Sequence, residues 1–307
     1  MIRKHNRRAA KAAFAIALGV AIILGGTVAS ATAGEARTEA TPIIIGTKNF
    51  PEQFLLGQLY KQALEAKGFD VSGYKENIGS TELTQTALKS GKITMYPEYV
   101  GVILAVTFGR KTTPPSAAAT HALAQRLYQQ KGFALARQTP FEDKDVIAVL
   151  SKTASRYGLT SIADLKKVPD LTLAGFPEWD TRWIPTIKKL YRVSNIEFKP
   201  LAGISAYELL DRGQVLAADV FTTDPPLGTT KYKQLRDPKN MFGFQHVAPV
   251  YNKKLATELG PKFVATLNAV SARLTTKAMI AMNTAMGVNK KSPKSVADKF
   301  LRANGLK

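Results

Sequence analysis

The feature that most constrains this chain is an alternation of short apolar runs with helical-period segments, which occurs twice. Ile43-Ile44-Ile45-Gly46 is a buried-strand run closed by glycine. Phe54, Leu55, Leu59, Ala63 and Leu64 then recur at helical spacing and stop at Lys67-Gly68. Phe69 to Tyr74 reads as a second strand. Asn77-Ile78-Gly79-Ser80-Thr81 opens a second helix with Leu83, Ala87 and Leu88 on one face, and Ile93 to Tyr96 reads as a third strand. The pattern restarts with strands at Asp145–Leu150, Leu171–Ala174, Ile196–Phe198 and Val215–Phe221. Helices are expected between them at Ser161–Lys167, Trp183–Tyr191 and Ala206–Arg212. Such alternation builds parallel sheets covered by helices. From Leu255 onward the sequence reads as helices, broken at Gly260-Pro261, Gly287 and Ser292-Pro293. Two α/β units and a helical tail imply two lobes, with the tail packed back on the first and a cleft between lobes as the ligand position.

Length and composition agree with two cores and remove several chemistries. A chain of 307 residues, 45% apolar, holds about two domains. With Cys 0, disulfides, zinc-thiolate sites, a cysteine nucleophile and a lipidated N-terminal cysteine are excluded. No G-x-S-x-G, H-E-x-x-H, Walker A or G-x-G-x-x-G motif occurs. Ser72-Gly73-Tyr74-Lys75 matches S-x-x-K, but it falls in an expected strand and lacks companion motifs. Catalytic residues, metal ligands and cofactors are therefore expected to be none.

The N-terminus carries Arg3, Lys4, Arg7, Arg8 and Lys11, then an apolar run from Ala12 to Val28, then Ala31-Thr32-Ala33. A basic head, an apolar middle and an A-x-A site read as a secretory signal, with a retained single-span anchor as the alternative. Residues 1–33 are expected to be removed, placing the protein in the periplasm. Residues 43–143 with 249–307 are expected to form lobe 1, and 144–248 lobe 2. The formal charge is +20, and removal of the five leading cations leaves +15. The remaining Lys and Arg are scattered, with pairs such as Lys166-Lys167 and Lys290-Lys291 the longest clusters. That reads as a solvated surface, so no nucleic-acid partner is expected. A basic envelope protein that binds anionic polymer or lipid surfaces is the alternative.

The candidate site lies at strand ends, where open α/β sheets hold ligands. Gly46-Thr47-Lys48-Asn49-Phe50-Pro51-Glu52-Gln53 offers a cation, Lys48, or simply a strand-to-helix turn with a solvated lysine. Gly79-Ser80-Thr81 offers a hydroxyl and free N–H groups to an anion, or a plain helix cap. Tyr96-Pro97-Glu98-Tyr99 offers an aromatic face or core packing, and Trp179 and Trp183 with Arg182 leave the same choice open.

Five segments fall in one order and spacing: Gly46–Gln53, Gly79-Ser80-Thr81-Glu82, Tyr96-Pro97-Glu98-Tyr99-Val100-Gly101, Phe221-Thr222-Thr223-Asp224 and Val247-Ala248-Pro249-Val250. Together they resemble the OpuAC/ProX-like substrate-binding proteins of osmoprotectant ABC importers, which carry glycine betaine, choline or carnitine. The likeness runs from about Ile43 to the C-terminus. It implies a type II-like, two-lobed periplasmic binding protein with no catalysis, monomeric. Such a protein hands a quaternary ammonium or zwitterionic solute to a permease in the inner membrane.

By that resemblance, Lys48, Thr81 and Tyr99 match first-lobe site positions. Arg182 is assigned the ligand carboxylate, Phe221 falls where a cage tyrosine often stands, and Phe244, Gln245 and His246 share the stretch before Ala-Pro-Val, with Phe244 and His246 taken as the site candidates. The family commonly has Tyr-Thr-Gly-Thr where this chain has Tyr99-Val100-Gly101-Val102, and Asp145 stands closest to another cage tyrosine. The altered cage leaves a different cationic or zwitterionic ligand as a further alternative.

Overall fold

A computed structural model describes residues 41–307, so the expected signal segment, 1–33, lies outside the described residues. Among the described residues ten strands run in chain order: β1 (Ile44–Gly46), β2 (Gly73–Lys75), β3 (Met95–Tyr99), β4 (Phe133–Leu135), β5 (Asp145–Leu150), β6 (Thr172–Gly175), β7 (Glu197–Pro200), β8 (Ala217–Phe221), β9 (Tyr232–Gln234) and β10 (Val247–Asn252). They form two five-stranded sheets, ordered β2-β1-β3-β10-β4 and β7-β6-β8-β5-β9. The chain is thus a two-lobed α/β protein. In each sheet three strands are parallel, as the βα alternation requires; one antiparallel strand, β10 or β5, joins them, and the edge strand beyond it, β4 or β9, pairs antiparallel with that one.

The Pro51–Ala66 helix shows why the parallel units form. Pro51 occupies its first turn, where the missing N–H costs nothing. Leu55, Leu56, Leu59, Tyr60, Ala63 and Leu64 are fully buried against the first sheet. Each fully buried leucine contributes roughly 1.5–3 kcal/mol relative to exposure. The tail helices Pro261–Arg273, Thr276–Gly287 and Pro293–Ala303 supply Phe263, Leu267, Met279 and Leu301 to the same core. The opposite face of that sheet packs Tyr96, Val100, Ile103 and Tyr128. The second sheet is likewise covered on both faces, by Trp179, Ile184 and Ile187 on one and by Leu209, Leu210 and Val215 on the other.

Several elements differ from the sequence expectation. The strand expected at Phe69–Tyr74 pairs only through Gly73–Lys75, because Phe69 and Val71 turn into the core ahead of it. The helix expected from Trp183 begins at Trp179 and runs through Pro185. Gly175 makes that start possible, since a Cβ there would meet the Trp179 ring at 2.9 Å. Val247 and Ala248, expected in the second lobe, pair with Tyr99 and Glu98 of the first sheet, so the chain returns to that sheet before Val247.

Two segments cross between the sheets side by side. Glu142 and His246 form an isolated bridge, Asp143 N–H donates to the Gln245 carbonyl at 3.2 Å, and Val247 N–H donates to Thr139 Oγ1 at 3.0 Å. No helix among the described residues is long and apolar enough to cross a membrane.

Candidate ligand-binding cleft

The two sheets turn their strand ends toward a cleft of about 640 Å³. The loop after β1 contributes Lys48 and Phe50, and the helix that follows contributes Glu52. The end of β3 contributes Tyr99. The crossing segments bring Asp143, Lys144, Asp145 and Gln245, and the end of β8 brings Phe221, Thr223 and Asp224. Phe242 and, from the tail helix, Asn283 and Met286 close the lining.

Four aromatic rings stand in this lining. Phe50 and Tyr99 are stacked, with centroids 6.2 Å apart and planes 17° from parallel. Phe221 is more than a third exposed, as expected of a cleft wall, and leans on Phe176 at 6.3 Å. Phe242 packs on Trp183 at 5.1 Å and on Trp179 at 5.4 Å, which ties the cleft wall to the second core. Ring faces carry negative quadrupole charge and attract cations.

Carboxylates surround the rings. Glu52 accepts the Tyr99 hydroxyl at 2.9 Å and Asn283 Nδ2 at 2.9 Å. Asn283 Nδ2 also donates to the Thr223 carbonyl at 3.1 Å, and Thr223 Oγ1 donates to Asp143 at 2.9 Å. One polar chain therefore joins the Pro51–Ala66 helix, the tail, the end of β8 and a crossing segment. Burial pushes the Glu52 and Asp143 carboxyls up from the ordinary carboxylate range, and their mutual repulsion raises Asp143 further. Asp224 is raised by burial too, although Phe221 N–H and the Tyr207 hydroxyl, both at 3.0 Å, hold its Oδ2. Asp145 is raised by burial, partly offset by Arg182. Behind it Asp219, buried on the same sheet face, is pushed up to about 9 by burial and by Asp145. Among the described residues no group of three or more His, Cys, Asp or Glu side chains converges as a metal site.

The two lysines of the lining are already partnered. Lys48 Nζ donates to Glu98 at 2.6 Å and lies 4.6 Å from the Tyr99 centroid. Lys144 Nζ donates to Glu142 at 2.7 Å.

Of the residues expected from sequence, the structure brings Lys48, Tyr99, Asp145 and Phe221 together in the lining. It does not bring four others. Thr81 heads the Thr81–Lys89 helix outside the cleft. Arg182 is exposed, and its guanidinium stacks on Trp183 at 4.3 Å. Phe244 sits behind the lining under the Lys144 ammonium, at 5.9 Å. His246 Nδ1 meets the Thr139 carbonyl at 2.8 Å and the Phe141 carbonyl at 3.1 Å, a structural position in the crossing. Gln245 takes the cleft place instead. Its Oε1 accepts Val102 N–H at 3.1 Å, and only glycine fits at 101, where a Cβ would meet Gln245 Nε2 at 2.5 Å.

Phe50, Glu52, Asp143, Phe242 and Asn283 are lining residues that sequence reasoning missed. The first two lie inside the Gly46–Gln53 motif and Asp143 sits two residues before Asp145, so a search around each motif would have found them. Asn283 has no such signal, because only the packing of the tail delivers it.

Residues 41–303 match the family model described as the substrate-binding domain of ABC-type glycine betaine transport systems. The glycine-betaine-binding protein of Pseudomonas aeruginosa is 29% identical over 282 residues, covering 87% of this chain and 89% of that protein. An ergothioneine transport permease/ergothioneine binding protein of Helicobacter pylori is 25% identical over 272 residues, covering 87% of this chain and 48% of that longer one. Among solved structures, apo YehZ from Escherichia coli is 26% identical with a TM-score of 0.74, covering 87% of this chain and all of that one.

Proposed function

Because the chain belongs to the family of substrate-binding domains of ABC-type glycine betaine transport systems, we propose that it is the solute-binding component of an importer for quaternary ammonium compounds. The observation that carries this reading is the cleft lined by the rings of Phe50, Tyr99, Phe221 and Phe242 with carboxylates between them. A trimethylammonium group has no hydrogen-bond donor, so it is held by ring faces and by uncancelled negative charge. Each ring face contributes about 0.5–2 kcal/mol.

In this reading the protein is a periplasmic monomer exported by a signal cleaved after Ala33. It carries its ligand unchanged to an ABC permease in the inner membrane, with no bond made or broken. The Pseudomonas aeruginosa relative is named for glycine betaine and the Helicobacter pylori relative for ergothioneine, itself a trimethylammonium betaine. Both names point to the same cationic head group.

A thermal shift against glycine betaine, choline, carnitine and ergothioneine tests it. A ligand at about 100 times its Kd adds about 2.7 kcal/mol, a few degrees for a chain of this size. A shift with any one supports the reading. Silence across the panel contradicts it.

A further inference from the structure

The charge of the cleft does not match a ligand that carries its own carboxylate. Glu52, Asp143, Asp145 and Asp224 line it, against Lys48 and Lys144, and no arginine stands among the lining residues. Both lysines are neutralised from behind by glutamates outside the lining, Glu98 and Glu142. Arg182, the basic residue that sequence reasoning assigned to a ligand carboxylate, points its charge at the Trp183 ring outside the lining. A bound zwitterion would therefore place its carboxylate among anions with no unpaired cation among the lining residues to meet it.

The same carboxylates are equipped to meet a donor. Asp143 uses Oδ1 to accept Thr223 Oγ1, and among the described residues its Oδ2 has no hydrogen-bond partner. Asp224 uses Oδ2 for Tyr207 and Phe221 N–H, and its Oδ1 is likewise without a partner among the described residues. Thr223 is buried and fixes Asp143, while Tyr207 and Phe221 N–H fix Asp224. Two anchored carboxylates, each with one free acceptor, face the space beside the aromatic rings.

We propose that Asp143 and Asp224 make this cleft select a quaternary ammonium ligand with a net positive charge and an O–H or N–H donor, over carboxylate-bearing zwitterions of similar size. The inference rests on the reading of the cleft as a quaternary ammonium site and narrows the ligand class within it. The cation's ring contacts are common to both ligand types, so discrimination arises at the second group. There an alcohol or amine donates to Asp143 Oδ2 or Asp224 Oδ1, and a carboxylate is repelled.

Choline and glycine betaine form the test pair, since they share the trimethylammonium group and differ in a hydroxymethyl against a carboxylate. Titration calorimetry on the purified protein is expected to give choline at least about tenfold tighter binding than glycine betaine. Asp143→Asn is expected to shrink that ratio to within about threefold, by weakening choline more than the betaine. A merely structural loss would weaken both equally and leave the ratio intact. Asp224→Asn provides the same readout if the first variant does not fold. Equal or tighter binding of glycine betaine, or a ratio unchanged in the variants, overturns the proposal while leaving the quaternary ammonium reading standing. Binding of neither compound overturns the proposal, and the quaternary ammonium reading falls with it only if carnitine and ergothioneine are silent as well.

Discussion

The Lys48 ammonium lies 2.6 Å from Glu98 Oε1, with both side chains almost wholly removed from solvent. The same oxygen accepts the Tyr99 N–H at 2.7 Å, so the pair fixes the backbone that presents the Tyr99 ring. Sequence offered Lys48 as a ligand-facing cation. The structure gives it a resident partner at the back of the cleft and a place 5.6 Å from the Phe50 centroid, as part of the wall.

Removing one member of this pair leaves an uncompensated buried charge. Glu98→Gln is expected to cost about 3–5 kcal/mol of stability, read as a lower urea midpoint. A loss below about 1 kcal/mol would show that the ammonium finds water or another anion, and that the pair is not structural.

The Tyr99 hydroxyl has a separate role from its ring. Tyr99→Phe keeps the ring and removes the donor to Glu52, leaving one Glu52 oxygen in a buried place without its partner. The expected cost is roughly 1–3 kcal/mol in stability, measured by chemical denaturation, with the ring wall retained.

Both tryptophans of the chain belong to the second lobe, and Trp183 is packed on the cleft residue Phe242. A ligand resting on Phe242 changes the surroundings of Trp183. Intrinsic fluorescence is therefore expected to change saturably on ligand addition, and Phe242→Ala is expected to diminish that change. Emission that stays constant at saturating ligand would place the ligand away from this wall.

Asp219 links cleft electrostatics to stability. Its folded-state pKa of about 9 lies above the usual carboxylate range, so between roughly pH 4 and 9 the folded protein holds a proton that the unfolded chain releases. This contribution to stability is fully present below the unfolded pKa and is lost as pH rises through the folded one. Asp219→Asn removes the titration, and is expected to stabilise the protein by at least about 1 kcal/mol at pH 9 and far less near pH 4. A benefit equal at both pH values would show that Asp219 is ionised throughout.

The parallel half of each sheet was legible because one-faced helices and glycine stops carry strong periodic signals. The antiparallel edges were not. β10 contains Pro249, which argues against a strand between two neighbours. The fold accommodates it because Pro249 stands opposite Pro97, where neither needs to donate, and because His121 Nε2 donates at 2.9 Å to the Ala136 carbonyl beside it. His121 is thus a substitute for a missing backbone donor, a role visible only once β4 and β10 are paired. In the site, Lys48 and Tyr99 emerged from their motifs at once, while Phe50 and Glu52 of the same first motif read as ordinary helix-start residues. Residues delivered by long-range packing, such as Asn283 from the tail helix and Phe242 from the segment before β10, did not emerge. His246 misled for the opposite reason: its motif position is right, but its imidazole is engaged by the carbonyls of the neighbouring crossing segment.

The central claim is that a quaternary ammonium solute binds between Phe50, Tyr99, Phe221 and Phe242. Titration calorimetry with choline and glycine betaine on the unaltered protein and on Tyr99→Ala tests it most directly. The expected result is saturable one-to-one binding that Tyr99→Ala weakens by about 1–3 kcal/mol. Absence of binding for both compounds and for carnitine and ergothioneine, or equal affinity in the two proteins, would contradict it.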